Sequence, residues 1–331
     1  MRKIFKRYKI AAGRVSVRVK RGSVLIAACA AAISFSATAV AEYPDKPVRF
    51  VVPFPPGDLE DVLTRMIAED FSKAYGQPAA VVNVPGGGAG PFPGAIKVAK
   101  APADGYTIGS FVIDVPVTGP KIGIKELNPD PFEPVGIFLT YPFLIVAKGD
   151  APYKTMRELA KYAKKHKVVL GHFGAEVTPT KVTLALAKKL GFAYSSNAAF
   201  DELNCNTLAS GDVDVMNTTA QQVLPCLNKL TVLATVTENR VPVTPNAPTV
   251  GQIVPSLLFS TWNGLFVRKG TPAAIIAKIA AVARKTIASK RAQDFAKKTG
   301  AQIYWKDAKA SRAQIAKDIK TIAAIDKILG K

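Results

Sequence analysis

The sequence predicts an α/β protein of two modules, one inserted within the other, with a cleft between them. Three observations predict it. From Val48 onward, short β-rich runs alternate with segments whose apolar residues recur at helical spacing, the pattern of βαβ units. A second such series, from about 141 to 257, interrupts the first before a return strand at Leu265 to Val267 and terminal helices. The composition is that of a folding chain: 48% of the 331 residues are apolar, enough for two cores, which excludes a disordered basic protein despite a formal charge of +21.

Val48 to Val52 reads as a strand ending at Pro53, followed by a helix on which Val62, Leu63, Met66, Ile67 and Phe71 share a face. Ala79 to Val84 is a second strand. The Gly-rich segment Pro85 to Gly94 separates it from a short helix ending near Lys100, and Thr107 to Ile113 is a third strand. After Phe132 one apolar strand is expected from Val135 to Ala147. Thr155 to Glu158 has the spacing of a capping box. Further strands are expected at Val168 to Leu170, Val213 to Met216 and Val232 to Val236. Helices are expected at Pro179 to Leu190, closed by Gly191, and at Asp201 to Ala209, closed near Gly211. Thr271-Pro272 predicts a cap and a Pro at the first position of a late helix. The domain organisation that follows is 42–140 with 258–331 for one lobe and 141–257 for the inserted lobe, the cleft between them being the expected ligand site.

The charge is divided unevenly. Residues 1–21 hold nine basic side chains and no acidic one, and an uncharged Ala-rich run from Gly22 to Ala41 follows, ending Ala39-Val40-Ala41. That is the pattern of a secretory signal peptide over 1–41, cleaved after Ala41, with export to the periplasm as the consequence. Ile26-Ala27-Ala28-Cys29 loosely resembles a lipoprotein box, a less favoured processing site because the apolar run continues past Cys29. Residues 42–267 hold 20 basic and 20 acidic side chains, whereas 268–331 hold 16 and 4. The excess on the terminal helices is a solvated face or a surface for anionic lipid or an acidic transporter, with Lys297, Lys298, Lys317 and Lys320 as its test positions.

Cys205 and Cys226 remain after cleavage; they are a disulfide pair in an oxidising compartment or two buried thiols. With His166 and His172 as the only imidazoles and no CxxC, no metal site is expected, and no cofactor.

The run Tyr43-Pro-Asp-Lys-Pro-Val-Arg-Phe-Val-Val-Pro-Phe-Pro-Pro-Gly57, followed by Asp61 and Arg65, resembles the opening of the tripartite tricarboxylate transporter substrate-binding proteins, the TctC/Bug family. The likeness continues through Asn83-Val-Pro-Gly86, Val98 to Thr107, Phe132-Glu-Pro-Val135, Gly211 to Met216, Ala247-Pro-Thr-Val250, Trp262-Asn-Gly-Leu265 and Lys269-Gly-Thr-Pro272. It thus covers nearly the whole chain after residue 42. The resemblance implies an α/β, two-lobed periplasmic binding protein of type II-like fold with the ligand cleft between lobes. It implies a small organic acid, carboxylated and either aliphatic or aromatic, as ligand, and integral membrane transporter subunits as partners. A monomer is expected.

Carried over position by position, the first grip on the ligand is Pro55, Pro56, Gly57 and Asp58 at the start of the helix containing Asp61. The second is Gly86, Gly87 and Gly88. The inserted lobe contributes His172, Phe173 and Gly174 leading to Thr178, and Phe200 with Asp201; Ile113 and Asp114 face the cleft. Amides at helix starts suit an anion, since they offer unpaired donors and the positive end of the helix dipole.

Departures from the family pattern accompany these matches. Asp58 stands where a second Gly is usual and Glu60 where a small polar residue is usual. Two carboxylates about 4 Å apart at an effective dielectric of ~20 repel by roughly 4 kcal/mol. Asp58 and Glu60 therefore either cap the helix and point to solvent, the favoured expectation, or the ligand is not a plain carboxylate at this end. Phe173 and Phe200 either stack on a ligand body or pack inward.

Other functions find little support. The glycine tract lacks the ending of a phosphate-binding loop and no Ser-His-acid set presents itself, so no enzyme activity is expected. No nucleic-acid module is recognisable. The alternative that keeps the fold is a receptor that reports its solute to a two-component sensor; a secreted enzyme ranks below it.

Overall fold

The structure, a computed structural model, describes residues 42–86 and 89–331. The leader, its cleavage after Ala41, Cys29, and the ligand positions Gly87 and Gly88 lie outside the described residues.

Among the described residues the eleven strands are β1 (Val48–Val52), β2 (Ala79–Asn83), β3 (Thr107–Val112), β4 (Phe132–Thr140), β5 (Phe143–Lys148), β6 (Val169–His172), β7 (Ser196–Ala199), β8 (Val215–Thr219), β9 (Leu230–Thr235), β10 (Trp262–Arg268) and β11 (Gln302–Asp307). The longer helices are α1 (Leu59–Tyr75), α2 (Phe92–Ala99), α3 (Asp114–Val117), α4 (Met156–Ala163), α5 (Thr178–Lys189), α6 (Cys205–Ser210), α7 (Ala220–Val223), α8 (Val250–Ile253), α9 (Ala273–Ile287), α10 (Lys290–Thr299) and α11 (Ala308–Leu329). None of the described helices is long and apolar enough to cross a membrane.

The strands form two mixed sheets, ordered β11-β4-β10-β3-β1-β2 and β7-β6-β8-β5-β9. In the first, β2, β1 and β3 run parallel and β10 reverses direction beside β3. In the second, β7, β6 and β8 run parallel and β5 reverses beside β8. β1 lies between β2 and β3, and β6 between β7 and β8, so the strand order reverses at β1 and at β6 and gives each sheet a switch point at the carboxyl ends of its parallel strands, where an open α/β sheet offers a crevice. The first sheet is held by fully buried aromatic rings, among them Phe50, Phe111, Phe132, Phe138 and Phe266, each stabilising the lobe by roughly 1.5–3 kcal/mol through burial.

One expected strand is two. The apolar run 135–147 breaks at Tyr141-Pro142, where the chain leaves the first sheet and enters the second. Pro142 has no amide hydrogen to continue a ladder. The Tyr141 amide turns instead to the Thr261 carbonyl, and the Pro142 carbonyl accepts the Ala220 amide. The return crossing lies between β9 and β10, so Tyr141 and Thr261 sit side by side at the junction. The last helix does not stay with one lobe: α11 packs against β4 and also against α5.

Other differences are local. Asn204 caps α6 through its side chain, which starts that helix four residues later than Asp201. The Thr155 hydroxyl accepts the Glu158 amide, while the Glu158 carboxylate reaches the Lys154 amide instead of that of Thr155. Pro272 precedes α9 instead of opening it, and the Thr271 hydroxyl donates to the Arg268 carbonyl.

Candidate functional site

The segment from Pro53 to Asp58 must turn sharply from β1 into α1, and Gly57, at φ +95°, makes the turn. Asp61 holds it from behind. Its Oδ2 accepts the Gly57 amide at 2.8 Å and the Arg65 Nε at 2.9 Å, and its Oδ1 accepts from Asn83 at 2.8 Å. Burial raises its carboxyl pKa, but the bonds from Arg65, Gly57 and Asn83 outweigh that and hold it below the usual value. Asp61, expected to touch ligand, is a positioning residue for the loop and is not part of the cavity wall.

Asp58 and Glu60 do not cap α1 and do not point to solvent. Asp58 occupies the cap position without making a side-chain cap bond. Its Oδ1 instead accepts Gln222 Nε2 at 2.8 Å, from α7 in the other lobe, and the adjacent Gln221 donates to the Gly57 carbonyl at 2.7 Å. Glu60 is 3% exposed and shares the cavity wall with Tyr141, whose hydroxyl donates to Asn263 Oδ1 at 3.2 Å. Burial, opposed by the bond from Gln222 and reinforced by Glu202 and Asp61, pushes Asp58 up to about 7. Burial and the neighbouring Asp58 push Glu60 well above the ordinary carboxyl range. The cross-lobe glutamines explain the departure from a cap: Asp58 has a better partner than its own helix.

Asp114, at the end of β3, is fully buried and reaches across to the start of α5. One oxygen accepts both the Thr178 amide, at 2.6 Å, and the Thr178 hydroxyl, at 2.5 Å. Burial raises its pKa to about 6 against the lowering effect of those two bonds and of Lys181. The helix start expected to hold a ligand anion therefore already holds a carboxylate of the protein.

Between these contacts lies a cavity of about 40 Å³. Its walls come from the carboxyl ends of the parallel strands and from the crossing. Asp58, Glu60 and Asp114 provide acid, and Phe54, Tyr141, Phe143 and Phe173 provide rings. Phe173 meets Phe54 and Phe143 edge-on, with centroids 6.5 and 6.1 Å apart. Thr219, Thr261 and Gln222 complete the polar part, and among the described residues no Lys or Arg lines it. A water needs roughly 10–15 Å³ of such space, so the inner end of the cavity holds a few atoms while its mouth is partly open to solvent.

Of the expected ligand residues, Asp58, Asp114 and Phe173 line this cavity and Thr178 stands directly behind it. Pro55, Pro56 and Gly57 form the turn at its edge, with Pro56 and Gly57 exposed. Ile113 points into the core, and its neighbour Val112 takes the wall position. Gly86 is held against Gly90, where a Cβ would come 2.1 Å from the Gly90 oxygen, and does not reach the wall. His172 is structural: Nδ1 accepts the Gly174 amide at 3.0 Å, leaving the proton on Nε2, 2.8 Å from Asn197 Oδ1. Burial lowers its pKa and favours this neutral form. Gly174, Phe200 and Asp201 lie outside the wall, Phe200 half-buried against the hydrophobic core.

Sequence reasoning missed Tyr141, Phe143, Thr219, Gln222 and Thr261. The available signal was Pro142 inside an apolar run, which marks a break in a strand. Cys205 and Cys226 are bonded. The bridge ties α6 to the segment following Gln221 and Gln222, and the Leu203 amide donates to Gln222 Oε1 at 2.7 Å.

Two mixed α/β lobes with a closed site at the strand ends between them define a periplasmic binding protein fold. The family model described as tripartite tricarboxylate transporter family receptor matches residues 63–330, and the chain belongs to that family of solute-binding proteins. A protein encoded in the tcbD-tcbE intergenic region of Pseudomonas sp. (strain P51) is 30% identical over 265 residues, 75% of each chain. The solved periplasmic binding protein BugD superposes with a TM-score of 0.75 at 26% identity, covering 86% of this chain and 98% of its own. MatC from Rhodopseudomonas palustris, solved with bound malate, gives 0.72 at 25% identity, covering 86% and 99%.

Proposed function

We propose that this chain is an exported solute receptor whose two lobes close on one small organic solute and present it to a multi-pass membrane transporter. The observation that carries the reading is the set of cross-lobe bonds around one partly open cavity: Gln222 to Asp58, Gln221 to Gly57, and Thr178 to Asp114. A solute touching both lobes at that place biases closure simply by binding the closed state better than the open one. The basic leader and apolar segment support export to the periplasm, and the Cys205–Cys226 bridge suits an oxidising compartment. The malate-bound relative supports an organic acid as the solute class. In this chain a carboxylate on the solute belongs at the exposed Pro56–Gly57 turn, because Asp58, Glu60 and Asp114 wall the inner end.

A thermal-shift screen of the chain beginning at Glu42 tests the reading, using mono-, di- and aromatic carboxylates with amines and neutral solutes of similar size. A saturable rise in midpoint with one solute class supports a receptor. Turnover of a candidate acid, with no member of the screen raising the midpoint, contradicts it.

A further inference from the structure

Resting on the receptor reading, we propose that the group the solute buries in this cavity is an organic cation, a primary ammonium or amidinium on an apolar or aromatic body. Three independent features of the wall point there. The first is that the ready-made anion site is full. The amide and hydroxyl of Thr178, at the start of α5, are both donated to Asp114, so a ligand carboxylate would have to displace a buried protein carboxylate to use them.

The second feature is a surplus of acceptors. The wall carries Asp58, Glu60 and Asp114 and, among the described residues, no basic side chain. The hydroxyls of Thr219 and Thr261 line the same cavity, are 7% and 1% exposed, and have no hydrogen-bond partner. A buried polar atom without a partner is costly; each of these hydroxyls can donate or accept, and beside three carboxyls an N–H group is the partner that satisfies hydroxyl and acid together. The third is the ring lining. Phe54, Phe143, Phe173 and Tyr141 offer apolar surface and electron-rich faces that favour a cation with a hydrocarbon body. Among the described residues no three acidic, Cys or His groups converge closely enough to hold a metal ion, which leaves an organic cation as the charge that fits.

Protonation gives the proposal a sign. In the closed empty cavity the carboxyls of Asp58 and Asp114 titrate near neutrality because they are buried. The charged groups that bear on them are Glu202, Asp61 and Glu60 at Asp58, and Lys181 at Asp114, while Glu60 faces Asp58, Asp61 and Tyr141. An entering cation favours the ionised carboxyls and expels protons; an entering carboxylate does the opposite.

The experiment is titration calorimetry of the disulfide-bonded chain at pH 6.5 with benzylamine, benzyl alcohol and benzoate. Each is run in two buffers of different ionisation enthalpy, so that proton exchange is read directly. Benzylamine is expected to bind at least about tenfold more tightly than the other two, with net proton release. Glu60→Gln and, separately, Asp58→Asn should each weaken benzylamine by roughly tenfold while leaving the melting midpoint at or above that of the parent. If benzoate binds as tightly as benzylamine, with proton uptake, the cation inference is overturned and the receptor reading survives. If none of the three binds, the inference also falls, and the receptor reading then stands or falls on the broader thermal-shift screen.

Discussion

The carboxylate of Asp114 accepts the amide and the hydroxyl of Thr178 across the boundary between the two lobes, at 2.6 and 2.5 Å. It closes the protein as a ligand anion would, from within. Asp114→Ala leaves two buried donors unmatched, at about 1–3 kcal/mol each, so its melting midpoint should drop clearly. Asp114→Asn, which keeps an acceptor oxygen in place, should lose much less. Equal losses in the two variants would show that the contact is not what joins the lobes.

The same residue makes closure depend on pH. Burial raises Asp58 to about 7 and Asp114 to about 6, above the ordinary carboxyl value of 3.8. A raised folded-state value means the protonated form is favoured by the closed protein. That contribution is complete below about pH 4 and is lost as pH rises through about 6 to 7. Small-angle scattering of the solute-free chain should therefore give a larger radius of gyration at pH 8 than at pH 5. The difference should vanish in the Asp58→Asn, Asp114→Asn double variant; a difference that persists there assigns the effect to other groups.

Gln222 works at both ends, donating to Asp58 and accepting the Leu203 amide. Gln222→Ala removes both bonds, each contributing about 0.5–1.5 kcal/mol. Hydrogen exchange at Leu203 should speed up by roughly tenfold. Unchanged exchange would mean that the α7 segment is fixed without this side chain.

The Cys205–Cys226 bridge closes a loop spanning 21 positions, for which chain entropy gives about 3 kcal/mol. Replacing both cysteines by Ser should lower the melting midpoint and loosen α6 first. A variant as stable as the parent would show that the covalent tie is redundant.

Lys181 is a buried cation, its side chain 4% exposed, lying 3.0 Å from Asp326 of α11 and 3.2 Å from Glu176. It joins the last helix to the inserted lobe. Lys181→Met leaves those carboxylates without it and should cost about 3 kcal/mol in urea unfolding. A cost near zero would show that hydrophobic packing of α11 on α5 suffices.

The strands and helices of each lobe were legible because their apolar positions carry the period of the element, as in Val48–Val52 and Leu59–Tyr75. The resemblance pointed to the Asp58 turn, Asp114, Phe173 and Thr178, and these lie at or directly behind the cavity wall. Side-chain direction was not legible. Glu60 faces inward only because Tyr141, which follows the break before Pro142, lies beside it, and a continuous apolar run from 135 to 147 conceals that break. Thr219 ends β8 and Gln222 lies in α7 just after it; their apposition to Asp58 is set by the packing of two distant segments, which no local period encodes. β11 is a short segment between the helical runs of α10 and α11, and its pairing with β4, shifted in register between Ile303 and Lys306, is a long-range contact that no local period encodes.

The most direct test of the account is whether the lobes close on a solute. Small-angle scattering of the chain from Glu42 at pH 8, without and with a saturating solute chosen by thermal shift, reads this as one number. The account predicts that the radius of gyration falls to the value of the closed structure when the solute is added. A radius that stays the same while the solute is demonstrably bound would contradict it.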